Sequence, residues 1–387
     1  MSLSPLKVIK SEYAKALNFS ADDKLIVDAF VSVMAAAFCK ILDESVWMYF
    51  IGPPASGKTE TVGVCRGFPQ SIMLTTPTEN CLMSGADDDK GEDPSLIKIL
   101  DGKVLIWKDF TALITGNIRV VDKILGELRD AYDQYCSKAS GKVGFREYVA
   151  RFGMIACVTD RIDSFAEDHQ QLGQRFLSVR INRIKKSHAQ RVVDLKPIRD
   201  GMGTKKEWKD RLKDNVQKEL DKVIELCHKG IEPTIPPALE EKLLIVSDLL
   251  ALLRAVPAGE VATRPELANR VMQQLANLGH AHCIADARTA WDETDMGLIN
   301  RVVADSLSLS RRRAIYYMFN QGGHRPAVPP ERLAEKCRVG KEEIRKIQLQ
   351  WLYSGILEEY KPDESSKPWL KISQDIYDSV RKVGVLT

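Results

Sequence analysis

Residues 52–59 read Gly-Pro-Pro-Ala-Ser-Gly-Lys-Thr and satisfy the pattern G-x-x-x-x-G-K-[ST]. Each residue type has a task in phosphate chemistry. The small residues Gly52, Pro53, Pro54, Ala55, Ser56 and Gly57 let backbone N–H groups converge on a phosphate. Lys58 reaches toward β- and γ-phosphates, and the Thr59 hydroxyl is a ligand for Mg²⁺. A helix starting here adds its first N–H donors and its dipole. The bland alternative is a glycine-rich turn. The flanks oppose it, because a continuous apolar run precedes the loop and a helical pattern follows.

A phosphate loop needs an acidic residue on the metal side, at the end of a neighbouring strand. "VLIWKDFT" supplies Asp109 after four apolar residues. Many ATPases carry Asp-Glu there, the Glu polarising water, whereas this chain has Lys108-Asp109-Phe110. Either Asp109 serves both purposes or another carboxylate, with Glu60 the candidate, takes one. "MIACVTD" ends in Thr159 and Asp160, where a polar tip could orient water or sense a γ-phosphate, although strands often end in such residues. "LGQRFLSVRI" sets Arg175 just before a strand. It is either a surface arginine or a finger that puts positive charge on a neighbouring subunit's γ-phosphate.

The elements that must hold these residues alternate. "SVWMYFIG", 71–76, 103–109, 152–159 and 176–181 are short and apolar, as strands buried on both faces are. Helical patterns separate them. One covers 20–42 with Ser20 as its cap, and another covers 117–135 with Ile118, Val121, Ile124, Leu128 and Tyr132 on one face. Alternation of this kind predicts an α/β layer fold with a parallel sheet. The strands stop near 184, a basic helical stretch runs to prolines 233, 236 and 237, and more helices follow to about 303. The expected domains are an N-terminal helical segment (1–44), a nucleotide-binding core (45–183), a helical lid or linker (184–303) and a C-terminal domain (304–387).

Composition sets outer limits. The 387 residues carry a formal charge of only +3, so any nucleic-acid surface must come from local clustering. The eight cysteines show no CxxC pair and no zinc spacing, which argues for a reducing compartment. No apolar run reaches membrane-spanning length and no charged-then-apolar leader opens the sequence, so a cytoplasmic protein without membrane association is expected.

Taken in order, "GPPASGKTE", "WKDFTALI", "LRDAYDQY", "GMIACVTDRID" and "LGQRFL" resemble the AAA+ ATPases of phage and mobile-element replication. The likeness spans 45–182 and implies ATP with Mg²⁺, bound between the copies of a ring-forming homo-oligomer. A hexamer is the first expectation for the ring. "CSKASGKVGFREYVA" (136–150) reads as a β-hairpin and resembles the pre-sensor insertion of MCM-type and superfamily 3 helicases. That resemblance gives Lys138 and Lys142 a grip on single-stranded DNA in a pore; on residues alone they are equally two solvated lysines. "ATRPELANRVMQQLANLGHAHC" (262–283) resembles the MCM lid, in which Arg264 begins a helix and senses the γ-phosphate, but Thr-Arg-Pro-Glu also suits any helix start.

The tail, 329–373, reads as helix, turn, helix and hairpin, with Ile344, Ile347, Trp351 and Leu352 as a buried stripe and Lys341, Arg345 and Lys346 off it. It resembles a winged helix, which would bring those three cations to the phosphates of duplex DNA or else serve as a protein–protein module. Two functions follow: an ATP-driven DNA motor, or a nucleotide-dependent switch that loads a helicase or regulates transcription. A small-molecule P-loop kinase would leave Arg175, the lid and the tail domain without a use.

Overall fold

β1 (Trp47–Ile51) and β6 (Gly153–Val158) are buried along their whole length, as their unbroken apolar runs require. They lie side by side in a five-stranded parallel sheet of order β2-β3-β6-β1-β7. β2 (Ser71–Leu74) forms one edge, β3 (Val104–Trp107) pairs with it and with β6, and β7 (Phe176–Arg180) forms the other edge. β2 is only half-buried, as an edge position permits. The structure, a computed structural model, describes residues 3–17, 21–39, 41–168, 175–181, 205–321, 324–362 and 367–385. The fold is α/β with a parallel sheet flanked by helices.

One sheet face carries an aromatic cluster. Tyr49 stacks on Phe176 with ring centroids 4.0 Å apart, and Trp47 meets Tyr132 edge-on at 5.1 Å. α4 (Phe110–Ile114) and α5 (Ile118–Tyr132) bring Phe110, Val121, Ile124 and Leu128 to it. Ile118, expected on that face, is 53% exposed, and Leu125 and Ala131 are buried instead. Asn117 caps α5 through a hydrogen bond from the Arg119 N–H, so Ile118 sits in an uncovered first turn.

Behind the sheet lie α1 (Pro5–Leu17), α2 (Ala21–Ala36) and α7 (Lys205–His228), packed on one another, with α2 also against β6. Ser20, the expected cap of α2, lies outside the described residues. Tyr13 of α1 is fully buried and donates to the carbonyl of Thr61, in the helix after the phosphate loop, at 2.5 Å. Tyr13 thus braces the helix that follows the 52–59 loop.

The chain divides into two compact units, Met1–Thr234 with Asn277–Trp291, and Ile235–Ala276 with Asp292–Thr387. In the second unit Pro237 does not interrupt a helix. It begins one, α8 (Pro237–Arg254), at the position where its missing N–H costs nothing. α11 (Leu309–Phe319), α12 (Pro330–Cys337) and α13 (Lys341–Tyr353) precede an antiparallel hairpin of β8 (Leu357–Tyr360) and β9 (Trp369–Ile372). A final helix, α14 (Gln374–Val383), was not expected. Val328 pairs with Leu370, adding a third short extended segment to the hairpin. Among the described residues no helix is long and apolar enough to cross a membrane.

Candidate functional site

Residues 52–59 leave the end of β1 and enter α3 (Lys58–Gly63). The loop is shaped by its small residues. Gly57 sits at φ 97° and Ala55 at φ 62°, both left-handed; glycine takes that conformation freely and alanine at a cost. A Cβ on Gly52 would stand 2.9 Å from the Ser56 hydroxyl and 3.2 Å from the Ile181 carbonyl, so only glycine fits there without a shift. The backbone N–H groups of Ala55, Gly57, Lys58, Thr59 and Glu60 donate to no acceptor among the described residues. Such a run of unsatisfied donors is rare away from a ligand or water. α3 has only six residues, so these donors, more than a long helix dipole, give the loop its attraction for an anion.

Lys58 is buried and folds back on its own loop. Its ammonium donates to the carbonyls of Gly52 and Pro53, the latter at 2.8 Å, and lies 3.5 Å from Ser56 Oγ. Burial pulls its pKa down, against the opposing influence of Cys157, Asp160, Asp109 and Glu60. The cleft in front of it stays open, at about 630 Å³, and Pro54, Thr59, Asp109 and Thr159 line it. That volume lies within the range of small-ligand sites.

Asp109 follows β3 and caps α4, its Oδ1 accepting from the Ala112 N–H at 3.2 Å while the residue stays exposed. Thr159 follows β6, and its N–H donates to Thr111 Oγ1 at 3.0 Å. Thr111, next but one to Asp109, thus ties two strand tips together. Lys58, Thr59, Glu60, Asp109 and Thr159 all border one cleft. Among the described residues no group of three His, Cys, Asp or Glu side chains gathers for a metal. The oxygens of Thr59 and Asp109 are hard donors of the kind Mg²⁺ takes, with water and phosphate completing its shell.

Sequence reasoning overlooked Arg180. It ends β7 beside Ile51, is 2% exposed, and donates to Asp163 at 2.6 Å with Asp160 at 3.5 Å. It fastens the segment that follows Thr159 to the edge strand. The available signal was a charge at the end of the apolar run "FLSVR".

Arg175 occupies the other end of the same strand. It is paired with Asp133 at 3.1 Å and lies over the Tyr132 ring at 5.6 Å, with 14% of its side chain exposed. It is not free, and it is remote from its own phosphate loop. β4 (Tyr135–Ser140) and β5 (Gly144–Val149) form the expected hairpin with a three-residue turn. Lys142 is exposed at the tip. Lys138 is not: its ammonium donates to the Met83 carbonyl and to Glu127 at 3.0 Å. Strand alternation turns residue 138 inward, where a buried carboxylate takes its charge.

In the second unit, Arg264 is exposed in a segment without regular secondary structure, and α9 (Asn269–Ala285) begins five residues later. The expectation that Arg264 opens a helix therefore fails. The side chain of Gln350 grips Thr263, accepting from its N–H at 2.9 Å and donating to its carbonyl at 2.8 Å, so both backbone groups of Thr263 are engaged outside a helix. Gln350 is fully buried in place of Leu352. Lys341, Arg345 and Lys346 are exposed on α13, with Glu260 3.5 Å from Arg345. No protein-family model matches the chain, and no curated protein matches it in sequence.

Proposed function

We propose that the chain is an ATP-hydrolysing enzyme of the AAA+ kind that works on DNA as a ring-forming homo-oligomer. The observation that carries this reading is one cleft bordered by the ends of three strands, holding Lys58, Thr59, Asp109 and Thr159 beside five backbone donors without acceptors among the described residues. ATP would lay its phosphates on those donors, and Lys58 would exchange its loop carbonyls for phosphate oxygens. Thr59 and Asp109 would hold Mg²⁺, which supplies charge neutralisation on the triphosphate. Thr159, fixed by Thr111, would face the terminal phosphate or the attacking water. Glu60 borders the cleft and remains a candidate to activate water alongside Asp109.

Strand order supports the AAA+ assignment. The Thr-ended β6 lies between the loop-bearing β1 and the Asp-ended β3, as the resemblance implies, and the hairpin is inserted just before β6. Arg175 lies at the end of the sheet away from the loop, so only the nucleotide of another copy could meet it, which fits action between subunits. α12, α13, the β8–β9 hairpin and the Val328–Leu370 bridge suit a winged helix.

A second reading, a nucleotide-dependent switch, draws support from Lys138. Its ion pair removes one of the two charges that a pore hairpin would use. ATP turnover with and without single-stranded DNA separates the two. The motor requires stimulation by single strands and loss of turnover in Lys58→Ala. Unchanged turnover together with duplex binding through 304–387 selects the switch. Absence of ATP binding by the wild-type chain removes both.

A further inference from the structure

We propose that the cleft between α3 and the first turns of α7 binds a single strand of nucleic acid, contiguous with the candidate nucleotide site. The cleft is about 520 Å³ and shares Thr59, Glu60 and Lys108 with the cleft in front of the phosphate loop. One wall carries Arg66 and Lys108; the other carries Trp208, Lys209 and Lys213. None of these four cations forms an ion pair among the described residues. Lys138, Arg146, Arg175 and Arg180 all do. Only Glu60 and Asp210 oppose the four cations in the lining, so the cleft attracts anions.

Trp208 decides which anion. It is half-buried, with the Lys209 ammonium 5.8 Å from its ring centroid. An indole among cations without ion pairs among the described residues suits a ligand with a flat face and repeated phosphates. Lys209 and Lys213 stand one helical turn apart on the same face, a rail rather than a point, which fits successive phosphates better than one. Gly67 opposite lies at φ 74° and carries no side chain, and a Cβ there would stand 4.0 Å from the Lys213 ammonium. The hairpin, by contrast, has its Lys138 committed to Glu127.

The shared wall gives a route for coupling. Glu60 borders both clefts and is one of the charges acting on Lys58. A polyanion beside Glu60 would alter the field at the phosphate loop. The binding claim stands without the nucleotide reading; the coupling rests on it.

The test uses the full chain, a fluorescein-labelled oligo-dT of about 15 nucleotides and, in the same preparations, a fluorescent ATP analogue. Trp208→Ala and the double variant Lys209→Ala/Lys213→Ala should each weaken oligo-dT binding about tenfold or more. The double variant should also flatten the salt dependence by about 1.4 in the log–log slope. Trp208→Phe, which keeps a stacking face, should bind oligo-dT nearly as wild type does, and ATP-analogue binding should hold in all three. Unchanged oligo-dT affinity in the alanine variants overturns the proposal. So does loss of ATP-analogue binding with oligo-dT retained, which would mark the cleft as a pocket for the base of ATP. Failure of the nucleotide reading shows separately, as a wild-type chain that binds oligo-dT and no ATP analogue.

Discussion

Arg175 offers the most exacting test of the ring. β1 and β7 run in parallel, with Phe176 opposite Trp47 and Arg180 opposite Ile51. Arg175 therefore stands level with Val46, six residue steps before Gly52, or about 20 Å along the strands. An arginine side chain cannot span that gap, so Arg175→Ala must leave nucleotide affinity within a single chain untouched. Its effect on turnover follows from two opposed quantities. Releasing the guanidinium from Asp133, which is 53% exposed, costs about 0–1 kcal/mol, and leaving the Tyr132 ring about 0.5–1 kcal/mol. An arginine finger lowers the barrier by about 4–7 kcal/mol. The difference leaves about 2–6.5 kcal/mol, or about one and a half to nearly five decades of turnover lost in Arg175→Ala. Asp133→Ala, which frees the arginine, should raise turnover up to about fivefold. The assay is steady-state ATP hydrolysis on material whose mass shows an intact oligomer. Mixing Lys58→Ala with Arg175→Ala chains should restore about a quarter of wild-type turnover, since that fraction of random seams pairs an intact loop with an intact arginine. Turnover of Arg175→Ala within threefold of wild type, or a mixture that stays dead while assembled, refutes the seam.

Four further outcomes are expected. Lys142→Ala should weaken oligo-dT binding if the hairpin tip touches DNA, whereas Lys138→Ala should mainly lower stability, by about 1–3 kcal/mol, because it strands Glu127; urea unfolding and anisotropy separate the two. Burial alone would raise the Asp93 carboxyl, but hydrogen bonds from Ser95 and Tyr148 and the Arg146 guanidinium hold it below its usual value. Its hold on the hairpin is therefore fully present above the ordinary carboxylate range and is lost as pH falls from there through the carboxyl's own, lower value. Protection factors at 135–149, corrected for the intrinsic slowing of exchange in acid, should fall below about pH 4, and unchanged protection from about pH 6 down to about pH 2 would count against that anchor. Gly279→Ala places a Cβ 2.3 Å from two Trp291 ring carbons, an overpacking cost of about 1–3 kcal/mol that outweighs the helix propensity gained, visible as a lower Tm. Cys39 and Cys227 have Sγ atoms 2.8 Å apart and buried. Treatment with a disulfide oxidant should join them, read as a cross-linked peptide under non-reducing mass spectrometry.

The G-x-x-x-x-G-K-T loop, the individual buried strands and the hairpin are local matters. A G-x-x-x-x-G-K-T run, an unbroken apolar strand and a turn between alternating segments are each written in fewer than twenty consecutive residues, so chain order alone shows them. The fate of charges is not local. Lys138 and Lys142 look alike in sequence, yet one faces a buried carboxylate and the other water, because strand alternation and the packing of α5 set their directions. Arg180 and Arg175 bracket one short strand, and only the register with β1 tells which end lies beside the loop. Tyr13 reaches Thr61 across 48 residues, and Gln350 binds the backbone of Thr263 across 87. Sequence determined which residue types line the candidate site and in what order they come. The tertiary structure decided which charges are spent on the fold and which remain for a ligand, since pairing depends on distances that only packing creates.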